Sequence, residues 1–289
     1  MKYLKTYKQI NEGLRDKMVG KPIEAAEKYL EKLSDKDRIR FVLKNDLDHK
    51  FLPRDEEGWC IFDGDFVPSF YDLNIPEKFK ILGDFMGTES IGLDELPNDL
   101  NVYGNFNLSK SNITKIPKGF YVEGDISLNS NKITELPDNF TTNGDLRILS
   151  NRLTKLPKNL TINGTLNCTF NRITEISEGL NVKNDFYINT MNQLKKLPND
   201  VKIGGSIQII SNGLKSLPEN LTVNGHLNLM DNKLTKLPKG LHVRGDLIII
   251  NNPIDELHED LIVEGSLYIK NTKMSLKDIK KPDGVNEII

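Results

Sequence analysis

The chain is short of most things that announce a chemistry. It has two cysteines in 289 residues, Cys60 and Cys168, far apart and without metal-ligand spacing. That excludes a disulfide framework and makes a reducing compartment the default. It has one tryptophan, 7% aromatics and 37% hydrophobic residues, too little apolar bulk for one thick core but enough for a thin, repetitive one. No apolar run approaches the roughly 18 residues a membrane helix needs, so no membrane partner is expected. The N-terminus, "MKYLKTYKQINEGLRDKM", is charged throughout. It lacks the apolar stretch of a secretory signal, so export by a signal peptide is not expected. A formal net charge of −2 and a pI near 6.2 give no global field to recruit nucleic acid. No basic stripe and no catalytic constellation is evident along the sequence, so neither a nucleic-acid partner nor an enzyme is expected.

What is present is repetition, which decides a fold before any other signal does. Units open at Ile75, Leu96, Ile116, Leu136, Leu156, Ile176, Leu197, Leu217, Leu237 and Leu257. Of the nine intervals between them, seven are 20 residues and two are 21. The shared pattern is LPxxLxVxGxLxLxxNxLTx. Apolar residues alternate across "LxVxGxLxL", for example Leu221, Val223, Leu227 and Leu229, which is the period of an extended strand.

The glycine recurs from Gly83 to Gly265, with Asn184 replacing it once. A residue without a Cβ in every unit predicts a corner or a close backbone approach, and asparagine there suggests positive φ. An asparagine recurs at Asn131, Asn151, Asn171, Asn192, Asn212, Asn232 and Asn252, suited to satisfying backbone groups where no strand partner exists. The proline fixes φ where the chain leaves the sheet. Twenty residues cannot hold a strand and a full helix. Each coil is therefore a strand, a tight turn and an extended return, stacked in parallel at about 4.8 Å.

The stretch "LNLMDNKLTKLP", Leu227–Pro238, resembles the LxLxxNxLxxLP pattern of leucine-rich repeats. The repeat length and LPxxL opening are similar to the short bacterial class, which includes secreted effectors and phage-encoded proteins. The VxGxLxL portion is closest in type to the phage and gut-bacterial variety. The resemblance covers residues 75–274. It implies a solenoid with parallel strands on a concave face and a binding function, without naming a partner. Effectors of this class that are ubiquitin ligases carry a large C-terminal domain with a nucleophilic cysteine. Only about 19 residues follow "SLYIK" here, none of them cysteine.

The expected architecture is α+β: a solenoid of about ten coils with little convex helix and an N-terminal helical cap. The divisions are 1–19, a basic amphipathic segment; 20–74, a cap of helices and a hairpin; 75–274, the solenoid; and 275–289, a C-terminal cap or tail. In the cap, Ile23, Ala26, Tyr29, Leu30 and Leu33 line one helical face. Ser34 or Asp35 can start a second helix bearing Ile39, Phe41, Val42 and Leu47. "DGDF" near residue 64 echoes "LGDF" at 82–85 and reads as a degenerate first coil.

Positions between the inward leucines of "GxLxL" face outward. The N-terminal half is small and polar, and the C-terminal half carries Tyr187, Ile210, Met230, Ile248, Ile250 and Tyr268; with Arg147, Leu149, Gln208 and Asn228 these are the candidate partner-binding residues. Contiguous exposed apolar and aromatic residues mark interaction sites, so this face is the expected site for a protein partner. The alternative is an aliphatic ladder that only favours sheet formation. The column after the glycine, which includes Asp84, Asp125, Asp145, Asp185 and Asp246, lacks the ligand spacing of calcium-binding β-rolls. Backbone hydrogen bonding is its expected role, with no metal and no cofactor. Cys168 takes a core position.

Finally, "KTYKQINE" resembles the head-targeting tags of internal proteins in T-even-type tailed phages. The matching residues are Lys5, Thr6, Tyr7, Ile10 and Glu12, and the implied cleavage precedes Gly13. The alternative is an ordinary frayed helix. The expected setting is a phage-infected cytoplasm or a phage particle, as a monomer. A bacterial effector engaging a host protein is the rival setting.

Overall fold

The computed structural model describes residues 28–44, 49–68, 74–87, 93–189, 194–274 and 284–289. These form a parallel β-solenoid of about ten coils with little helix. Ten two- or three-residue strands, from Phe85–Met86 to Leu267–Tyr268, make one continuous parallel sheet. A second face carries shorter sheets. One runs from Cys60–Phe62 to Tyr121–Val122, the next from Thr141–Thr142 to Lys202–Ile203, and the last from Thr222–Val223 to Ile262–Val263. The stretch read as one alternating strand is therefore two. The alternation holds on both sides of the glycine, but the glycine is a corner that sends each half to a different face.

The glycine is required by crowding, not by φ. None of the described corner glycines from Gly83 to Gly265 has positive φ, and neither does Asn184; only Gly64, in the first coil, does. A Cβ on Gly164 would lie 2.6 Å from the Asp145 amide nitrogen and 2.7 Å from the Gly144 carbonyl carbon. The left-handed turns sit elsewhere. One column includes Asn139, Asn159 and Asn220; the other includes Ser130, Ser150, Phe170, Ser211 and Asn251. Asn184, the exception at the corner, follows Thr165, the one threonine in the capping column. Thr165 brings no carboxylate or amide oxygen to the spot that a Cβ needs.

Two hydrogen-bonded ladders tie coil to coil. At the corner, the Oδ1 atoms of Asp65, Asp84, Asn105, Asp125 and Asp145 each accept from the backbone N–H one coil further on, at 2.7–2.9 Å. Asp185, Ser206, His226 and Asp246 continue the pattern. The expectation that these residues serve the backbone is met. Inside, the buried asparagines do the same for the return segment. Asn151 Oδ1 accepts from Ile133 N at 3.0 Å, while its Nδ2 donates to the carbonyls of Leu128, Ile148 and Leu149. Asn131, Asn171, Asn232 and Asn252 repeat this geometry. Asn192 lies outside the described residues.

Ser111 occupies the asparagine position one coil before Asn131. It is buried, and its hydroxyl has no partner. Ser111→Asn should extend the ladder and stabilise the chain by about 1 kcal/mol. A shift of the urea midpoint to higher concentration checks this; an unchanged or lower midpoint would mean the pocket cannot admit the amide.

The core is one continuous column. At the N-terminal end it is aromatic: Phe66 lies 5.3 Å from Phe79 and 5.5 Å from Phe85, and Phe85 stacks on Phe106 at 4.7 Å. From Ile126 onward it is mostly aliphatic, and each fully buried side chain contributes roughly 1.5–3 kcal/mol. Cys60–Phe62 pairs with Phe79–Ile81, and Phe66 bridges to Phe85, so the echo of "LGDF" is indeed a first coil.

Helix α1, Asp35–Lys44, lies against that coil with Ile39, Val42 and Leu43 buried. Its cap is Ser34, whose Oγ accepts from Asp37 N at 3.2 Å and donates to the Asp37 carboxylate. Ile23, Ala26 and Leu47 lie outside the described residues. At the other end, residues 284–289 run along the last strand: Leu267 N donates to Glu287 O and Ile289 N to Leu267 O. An exposed edge is thereby covered.

Candidate binding surface

Parallel register turns the outward positions into straight columns. Arg147, Asn167, Tyr187, Gln208, Asn228, Ile248 and Tyr268 stand side by side on neighbouring strands of the ten-stranded sheet. Leu149, Ile210, Met230 and Ile250 form the next column on the same face, and their coils are joined by backbone bonds such as Ser211 N to Met230 O and Asp231 N to Ile250 O. The structure thus brings together all ten residues read as a surface. All are half-buried, because each strand shields its neighbour.

The two halves of this face differ in chemistry. In the N-terminal half the polar side chains satisfy one another. Asn107 Oδ1 accepts from Ser109, Ser109 Oγ lies 3.0 Å from Ser127 Oγ, and Asn129 Oδ1 accepts from Leu149 N. Arg147 lies across two corner acids, 3.1 Å from Asp125 and 2.7 Å from Asp145. Being part-exposed, this pair adds little stability, but it holds the guanidinium in place. Tyr187 donates to Asp185 Oδ2 at 2.9 Å. Partial burial, then that carboxylate, raises the Tyr187 pKa. Beyond it Ile210, Met230, Ile248 and Ile250 stand among Gln208 and Asn228.

The remaining candidates are scattered. Burial pushes the Cys60 thiol up to about 12 and raises Cys168 as well, so both are protonated core residues. His226, His242 and His258 each meet one carboxylate: Asp246, Glu264 and Asp260. Among the described residues no group of three or more His, Cys, Asp or Glu could hold a metal ion, and no helix is long and apolar enough to cross a membrane. Ile10, Glu12 and Gly13 lie outside the described residues.

Sequence reasoning missed one apolar patch. On the second face, at its N-terminal end, Ile61, Leu82, Tyr103 and Tyr121 are exposed, and the two tyrosine rings lie 5.9 Å apart. The signal existed in the x positions of "LxVxG". Alternation alone does not show that the corner glycine sends this segment to a second face.

Fold and surface together define a parallel β-solenoid repeat protein. No protein-family model, curated protein or solved structure matches the chain.

Proposed function

We propose that this chain is a non-catalytic protein-binding module that presents the C-terminal half of its ten-stranded face to a partner. The observation that carries the reading is the contrast between positions. Inward, corner and turn residues are dictated by the backbone, while the outward columns from Tyr187 to Tyr268 carry Tyr187, Ile210, Met230, Ile248, Ile250 and Tyr268 among a few polar side chains and are unlike one another. Such contiguous, semi-rigid side chains are the composition of binding hot spots.

The test uses the full chain as bait in producing cells. Tyr187→Ser, Met230→Ser and Ile250→Ser together should abolish capture of the partner with an unchanged far-UV circular dichroism spectrum. Undiminished capture would remove this face from consideration and direct attention to Tyr103 and Tyr121. The phage-head setting is carried forward as part of the same proposal, on the resemblance at residues 5–13. Peptide mass spectrometry of particles should find a new N-terminus at Gly13; an intact Met1 there would end that reading.

A further inference from the structure

Folding sorts charge in a way the linear sequence conceals. The return segment after each buried asparagine exposes its side chains along one edge. Lys132, Arg152, Arg172 and Lys233 occupy the position just after the asparagine, and their backbone amides all bond to the preceding coil. Beside them run Lys155, paired in register with Glu175, then Lys195, Lys196, Lys215 and Lys236. Between residues 132 and 236 only Glu135 and Glu175 oppose them in these columns. The same positions carry acids at both ends of the run, Asp94 and Glu95 before it, Asp255 and Glu256 after it. The column beyond the proline reads Asp138, Lys158, Glu178, Asn199 and Glu219, with Lys158 bound to Glu178 at 3.1 Å; its small acidic excess offsets the stripe only in part. At about 4.8 Å per coil the stripe runs roughly 24 Å.

A second feature lies in the same coils. Phe170 is 55% exposed and sits at φ 57°, where neighbouring coils put Ser130, Ser150 and Ser211. Bulky residues adopt that conformation only at a steric cost. Nothing in the packing asks for it. Phe170 and Arg172 flank the inward Asn171, so both leave the coil at one corner. Further along the return segment a groove of about 600 Å³ opens between Glu175 and Lys196, with Lys158, Thr174, Glu178 and Lys195 in its walls.

We propose that this edge binds single-stranded nucleic acid, with phosphates along the basic stripe and a base stacked on Phe170. A basic track that follows the backbone, with an exposed ring for a base, is the chemistry of sequence-tolerant single-strand binding. Exposed threonines in the columns, Thr134, Thr154, Thr174 and Thr235, add hydroxyl donors of the kind that contact phosphate. The whole-chain charge of −2 makes the attraction local and salt-sensitive.

The test is fluorescence anisotropy of a labelled oligothymidylate of about 16 nucleotides with the full chain. Binding should appear at about 50 mM salt and weaken with a log–log slope near −0.7 per neutralised phosphate. Phe170→Ser should weaken it about tenfold while melting no earlier than the parent, since serine already serves this turn elsewhere. Arg152→Glu, Arg172→Glu and Lys233→Glu together should abolish it. Lys183→Glu with Lys202→Glu, on the second face, should not. Three results would overturn the proposal: no anisotropy change in low salt; equal displacement by a polyglutamate peptide, which would assign the stripe to an acidic protein segment; or full binding by Phe170→Ser together with tighter binding of a duplex.

Discussion

Gly164→Ala should destabilise the solenoid by about 3 kcal/mol, the upper end of what overpacking costs. The added Cβ meets the Asp145 amide nitrogen and the Gly144 carbonyl carbon, both well inside contact distance, as well as the Asp145 carboxylate. A flexible side chain could move aside, but the backbone of an adjacent coil cannot without breaking its own pairing. The coil must open, and the bond from Thr165 N to Asp145 Oδ1 goes with it. Urea unfolding measures the loss. A variant within about 0.5 kcal/mol of the parent would mean that neighbouring coils slide apart easily. Asn184 suggests the rescue. It carries a Cβ at this corner behind Thr165, so Asp145→Thr should recover part of the loss in Gly164→Ala. Asp145→Thr alone should only destabilise.

Asn151→Ala is expected to have the next largest effect, by a different route. One side chain here makes four hydrogen bonds in a buried setting. Its removal leaves the buried Ile133 N–H without a partner, at about 1–3 kcal/mol, whereas the carbonyls of Leu128, Ile148 and Leu149 keep Asn131 Nδ2, Asn171 Nδ2 and Ser130 N as donors. A total near 2 kcal/mol is expected after relaxation and some entry of water. Because a solenoid is held by nearest-neighbour interfaces, the lesion should also weaken cooperativity. Trp59, the one tryptophan, reports on the first coil, whereas circular dichroism reports on all of them. The two unfolding curves should coincide in the parent and separate in the variant. A loss below about 1 kcal/mol, with coincident curves, would show that the ladder is decorative.

Much of the architecture was legible in the sequence because a repeat states each structural demand ten times. Leu227 and Leu229 announce the buried face of a strand by their spacing, Asn232 a backbone-capping turn by its recurrence, and Gly225 a crowded corner by its lack of a side chain. What misled was the reason behind one residue. Asn184 at the glycine position suggested a left-handed turn, since asparagine tolerates positive φ, but the corner is ordinary in φ and merely tight. What sets this corner apart lies one coil earlier, at Thr165, nineteen positions away in the chain and adjacent only after folding.

The same distinction divides the candidate sites. Tyr187, Ile210, Met230 and Ile250 could be placed on a common face from alternation alone, because inward and outward are local properties of a strand. The sequence by itself therefore determined the coil, its period, its buried positions and its two polar ladders. Only the tertiary structure decided which residues from different coils share a surface. Stacking at strand spacing sets Arg152 beside Arg172, and gathers Lys195, Lys215 and Lys233 onto an edge where bases outnumber acids. Twenty residues of intervening chain dilute that charge in the sequence. About 4.8 Å of intervening space concentrates it in the fold.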